Sequence, residues 1–256
     1  MNTVRLAPES MPEGLIISPV YKISQAQGNI QAGAILPDVE GRRPATNTDL
    51  TGLWAEEDTP PSALVEVFST PGDILKAVQN YNHSTTKEEQ EIAHDALVGV
   101  SATYGGEYLF MRESPAHVLT TTAWPDRPIF AGMYVDNRDK LSLARRTESR
   151  RRMGINAGPG HRWLLMCFPD IIEIAHTLGR ADDSTPGNTE FQELIDTNPH
   201  DVQCLWIPIR PDEMYISPSD LGGHDGSAWD SSEGSAMHFV LGHWERNKFT
   251  DVPNDT

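Results

Sequence analysis

At Gly105-Gly106 the hydrophobic period of the chain changes from that of helices to that of strands. Ahead of the pair, Ser69-Thr70-Pro71 places a proline in the first turn of a helix whose apolar face is Ile74, Leu75 and Val78. Thr86-Lys87-Glu88-Glu89 has the spacing of a capping box and opens a second helix, with Ile92, Ala93, Ala96, Leu97 and Val100 along one side. Beyond the pair, short runs rich in branched and aromatic residues predict strands over 107–112, 117–121, 128–135, 153–157, 163–168, 204–209, 213–217 and 236–244. The run 163–168 is continuously apolar, as a strand buried on both faces requires. Two short helices interrupt the series. One follows Pro169, carries Ile171, Ile172, Ile174 and Ala175, and stops at Gly179; the other is capped by Asn188 or Thr189 and runs through Ile195.

This order predicts a β-rich α+β chain, a sandwich or closed barrel decorated by helices. A single domain is expected over residues 1–256: an irregular N-terminal segment to residue 62, helices and first strands over 63–127, and the sheet core over 128–244. The net charge of −17 repels phosphate backbones and anionic lipid surfaces, so neither nucleic acid nor membrane is an expected partner. The first 18 residues are too polar and proline-broken for a signal sequence, and no run reaches the ~18 apolar residues of a membrane span, so a cytoplasmic protein is expected. Cys167 and Cys204 sit in apolar runs and read as buried thiols; whether they face each other on paired strands is left open.

Motifs for phosphate-binding loops, metalloproteases, dithiol redox sites and nucleophile elbows are absent. His243-Trp244-Glu245 places two ligand-type side chains on one strand face, with little chain following to supply a third. The more informative stretch is 211–224, which reads as a turn, a short strand, a proline-marked bend and then His224 beyond two glycines.

This segment resembles the distal-histidine strand of iron(II)/2-oxoglutarate-dependent oxygenases, the JmjC and phytanoyl-type jelly rolls. Two further matches stand in the family's order. Gly160-His161-Arg162-Trp163-Leu164-Leu165-Met166 is similar to the strand that carries a basic residue for the 2-oxoglutarate carboxylate. Gly132-Met133-Tyr134-Val135-Asp136-Asn137 lies where the family's H-x-D strand belongs, 88 residues before His224. The resemblance covers about half the chain, from Pro128 to Trp244. It implies a double-stranded β-helix of the jelly-roll or cupin-like kind with N-terminal and inserted helices. It further implies Fe(II) on Asp136 and His224, 2-oxoglutarate on Arg162 with Asn156 beside it, and an oxidoreductase, a dioxygenase, acting on a small molecule.

The chain departs from the family where its first metal histidine belongs, because Tyr134 stands there. Three outcomes follow from that departure: a tyrosinate ligand, a metal held by Asp136 and His224 with another residue such as His117, or a metal-free pocket. In the last case Tyr134, Asp136 and His224 act as polar groups in a cyclase, an isomerase or a binding protein. A non-catalytic interaction protein is the third functional class. The run Arg145, Arg146, Arg150, Arg151 and Arg152 reads either as a loop that receives an anionic ligand over the pocket or as a solvated loop paired with the acidic surface.

Overall fold

The computed structural model describes residues 3–123 and 129–250. The strands are β1 (Arg5–Leu6), β2 (Ile16–Lys22), β3 (Ile30–Pro37), β4 (Arg43–Pro44), β5 (Leu64–Ser69), β6 (Gly106–Ser114), β7 (Phe130–Gly132), β8 (Arg151–Asn156), β9 (Arg162–Phe168), β10 (Gln203–Ile209), β11 (Glu213–Ser217), β12 (His224–Ser227) and β13 (Ser235–Gly242). The helices are α1 (Asn47–Leu50), α2 (Gly72–His83), α3 (Lys87–Thr103), α4 (Ile171–Thr177) and α5 (Asn188–Thr197). Among the described residues the strands form two sheets, ordered β1-β5-β11-β8-β13-β6 and β12-β9-β10-β2-β3-β7, with β4 paired to β2. The chain is thus a β-rich α+β protein.

Alternation along the strands of the first sheet gives it two apolar faces. Phe68, Met153, Ile155, Met214, Ile216 and Val240 pack with Ile74 and Val78 of α2 and Leu97 of α3. The other face, with Val65, Val67, Tyr215, Met237 and Phe239, joins a core shared with Leu164, Leu205 and Ile207 of the second sheet. Every residue of β9 is buried, as its continuous apolar run predicts. The capping box of α3 forms as spelled, Thr86 accepting from the Glu89 N–H at 3.2 Å and Glu89 from the Thr86 N–H at 3.0 Å. On that helix Ala93 and Leu97 face the core while Ile92, expected there, is 65% exposed.

Three expectations need correction. The expected irregular segment 1–62 is not irregular over its described residues, 3–62: β2 is an inner strand of the second sheet and pairs with β10, while β1 extends the first sheet beside β5. Residues 117–121 form no strand. His117 takes a left-handed backbone (φ 60°), and the following threonines are drawn to a side chain instead of a strand partner. The expected strand 128–135 is cut to β7 and a single bridge at Tyr134, and its start, Pro128, lies outside the described residues. Gly132 causes the break with φ 76°, a conformation that costs glycine little and that interrupts the ladder.

The arginine run is not a free loop either. It spans a 3-10 turn, Leu143–Glu148, and the start of β8. Arg145 pairs with Glu148, and Arg150 with Asp139 and Glu107. Arg151 and Glu66 form a buried ion pair at 2.5 Å. Cys167 and Cys204 are directly opposed on β9 and β10 as free thiols, 3.3 and 3.9 Å from the Met133 sulfur.

Candidate functional site

Beyond Gly132 the chain leaves β3 and reaches β12, the other edge of the second sheet, and period two puts Tyr134 and Asp136 on one side of it. Tyr134 bridges to His224 at the start of β12, with N–H to O distances of 3.1 and 2.9 Å in the two directions. The Asp136 N–H donates to the Ser219 carbonyl at 3.3 Å. These bonds bring together the three side chains that the sequence singled out. The rings of Tyr134 and His224 lie 4.7 Å apart, and Asp136 Oδ2 is 3.7 Å from His224 Nε2.

A fourth residue sits among them. Arg152 of β8 donates through Nη2 to Asp136, and its Nη1 lies 3.1 Å from His224 Nε2 and 3.3 Å from the Tyr134 hydroxyl. The Phe239 ring flanks the guanidinium at 5.6 Å. Arg152 was not singled out from its neighbours in the sequence, although a signal was present. Arg152, Gly154 and Asn156 alternate with Arg151, Met153 and Ile155, so one face of β8 carries the polar and small residues. Gly154 is required on that face, because a Cβ there would lie 2.4 Å from the ring of Tyr215, its partner across β11.

The tautomer of His224 follows from its two neighbours. The Gly222 carbonyl, 3.0 Å from Nδ1, can only accept, so Nδ1 carries the proton and Nε2 offers its lone pair to Arg152. Burial and the adjacent guanidinium lower the His224 pKa to about 4, so the imidazole is neutral at physiological pH. Burial raises the pKa of Tyr134, which keeps its proton. Asp220, beyond Asp136, is pushed up to about 6 by burial and by the Asp136 charge.

Arg162 is 5% exposed and lies on the same face of β9 and β12 as His224. Its Nη1 donates to Ser114 and Ser235 at 3.1 and 3.5 Å, and its Nη2 to Thr121. It lies against the backbone of Gly226, where a Cβ would come within 2.3 Å of Nη2. Asp225 is gripped by Thr120, Thr121 and Thr122, which fixes the 120–122 segment against β12. Neither Asp225 nor these threonines stood out in the sequence, because single hydroxyls in a polar stretch carry no pattern.

Two expected site residues are placed elsewhere. Asn156 is fully buried and spends its amide on the Gly160 and Ile209 carbonyls and its oxygen on the Gly158 N–H, so it shapes the turn after β8. His117 turns to the Trp229 carbonyl at 3.4 Å and does not join Asp136 and His224.

The donor set does not suit the implied iron. A metal needs several lone pairs aimed at one vacant point. Here the lone pair of His224 Nε2 and an Asp136 oxygen both point at N–H groups of Arg152. Among the described residues there is no group of three or more His, Cys, Asp or Glu side chains placed to hold a metal ion. No helix among them is long and apolar enough to cross a membrane. Comparison with protein-family models, with curated proteins and with solved structures found no match to this chain.

Proposed function

We propose that the protein is a jelly-roll small-molecule-binding protein, akin to the iron(II)/2-oxoglutarate oxygenases, that works without a metal because Arg152 supplies the positive charge at the metal position. The observation that carries this reading is the single guanidinium donating to Tyr134, Asp136 and His224 together. Strand order supports the jelly-roll part. β6-β13-β8-β11 forms one antiparallel set, and the 130–136 segment, β12, β9 and β10 form the other. Successive strands thereby alternate between sheets over much of their course, as in a pair of Greek keys.

The ligand proposed is a small carboxylate. Arg162 is bonded to neutral hydroxyls and holds no carboxylate directly, with Asp225 and Arg112 as the nearby opposite charges, so its guanidinium can receive a ligand carboxylate. Tyr134 accepts from Arg152 and holds its own proton, which it can donate to a ligand, while Asp136 can accept one; this acid–base pair suits an isomerase or cyclase. Iron, if held here, would supply redox chemistry, and Arg152 would have to leave first.

Calorimetry with succinate and 2-oxoglutarate tests the reading, in chelator and with anaerobic Fe(II). Binding that is indifferent to the chelator and at least tenfold weaker in Arg162→Met is expected. Stoichiometric iron with succinate release from 2-oxoglutarate would replace it with the oxygenase reading.

A further inference from the structure

Beside the candidate site, on the far side of Arg152, lies a set of buried polar atoms that have no partner. Arg152 gives its two η nitrogens to Tyr134, Asp136 and His224, yet its Nε has no hydrogen bond. Arg146 is fully buried and gives its η nitrogens to the Leu141 and Pro186 carbonyls, and its Nε is likewise unpartnered. So are Ser217 Oγ, Ser219 Oγ and Asp220 Oδ2. Buried polar atoms are rarely left so, and several together call for a guest.

The fold gathers these residues in one place. Ser217 is the register partner of Arg152 across β11 and β8, and cross-strand partners share a face. Ser219 is tied to Asp136 through its carbonyl. Asp220 lies within electrostatic reach of both Arg146 and Arg152, and Arg146 of both Asp220 and Asp136.

We propose that Arg146, Arg152, Ser217 and Ser219 form a buried binding site for a small oxyanion. Both guanidinium Nε–H groups can only donate, and the two hydroxyls can donate as well. One oxyanion accepts from all four, and one that keeps a proton, such as hydrogen phosphate, also donates to the unpartnered Asp220 oxygen, whereas a water accepts two. Arg146 and Arg152 place two guanidinium groups here, with Asp136 and Asp220 as the facing carboxylates. An anion seated behind Arg152 would also hold that guanidinium in place against Tyr134, Asp136 and His224. The site is independent of carboxylate binding at Arg162.

The test is thermal unfolding and calorimetry of the full chain with inorganic phosphate, and in a second arm with formate, each against chloride at equal ionic strength. Saturable one-to-one binding of at least one of them is expected, with a matching rise in Tm. The double variant Ser217→Ala/Ser219→Ala removes two unpartnered hydroxyls, so without anion it should unfold at the wild-type temperature or above. With anion it should bind at least tenfold more weakly. Arg162→Met should leave the anion response intact while weakening succinate, which separates this site from the carboxylate site. No binding of either anion, or equal binding by wild type and the double serine variant, would overturn the proposal.

Discussion

On the function proposed, Tyr134 and Arg152 are complementary departures from a metal site. A histidine at 134 would present a lone pair to the centre, whereas a tyrosine hydroxyl both accepts from the guanidinium and keeps a proton to give. Arg152 then neutralises Asp136 and uses the free lone pair of His224. Removing either residue alone leaves the other mismatched. The paired change Tyr134→His with Arg152→Ala is therefore expected to create a vacancy bounded by two imidazoles and a carboxylate. Cobalt(II), followed by its visible absorption, should bind this double variant near one equivalent and leave the wild type without a band. An equal band in both proteins would show that Arg152 does not occupy the metal position.

Among the elements, β8 carries two different jobs on its two faces. Arg152, Gly154 and Asn156 serve the site and its turn, while on the other face Met153 and Ile155 pack against α2 and α3 and Arg151 is buried. Arg151 is buried there against Glu66 of β5 and also donates to the Trp244 carbonyl, and Glu66 accepts from the Asn247 N–H at 2.8 Å. One ion pair thus ties β5, β8 and the segment after β13. Truncating one partner of such a pair strands the other charge in the core. Glu66→Ala should cost about 3–5 kcal/mol in urea unfolding. Replacing both residues with methionine should recover most of that loss, and a neutral effect of Glu66→Ala would refute the account.

Over the whole molecule, stability depends on which buried groups refuse a proton. His224 and His238 have pKa values lowered to about 4 by burial, so from pH 6.5 downward the unfolded chain takes up protons that the folded chain rejects. Asp220, raised to about 6, acts in the opposite sense: below pH 6 the folded chain holds a proton that the unfolded chain releases until its ordinary range. From these three groups, two losses against one gain contribute a net fall in stability of about 1 kcal/mol per pH unit between pH 6 and 4. Urea midpoints measured across that window check it. A histidine ring proton that titrates near 4 and disappears in His224→Asn would assign the group, and a midpoint near 6.5 would contradict it.

The helices α2 and α3, the buried strand β9 and the strand β11 were legible because each rests on local chemistry: a proline at a first turn, a capping box, an unbroken apolar run, a turn at each end. Tyr134, Asp136 and His224 were picked out by the family resemblance, and the structure brings their side chains together. The strands of the first 62 residues were not, since β2 and β3 exist by pairing with distant partners and carry little pattern of their own. Nor was the role of Arg152. In the sequence it is one arginine of five, with nothing in its neighbours to set it apart from Arg150 on a surface pair or Arg151 in a core pair. The amino-acid sequence by itself determined the elements and the residues able to do chemistry. Only the tertiary structure decided what lies at the centre of them, because a guanidinium reaches Tyr134, Asp136 and His224 only after two sheets have brought β8 and β12 together.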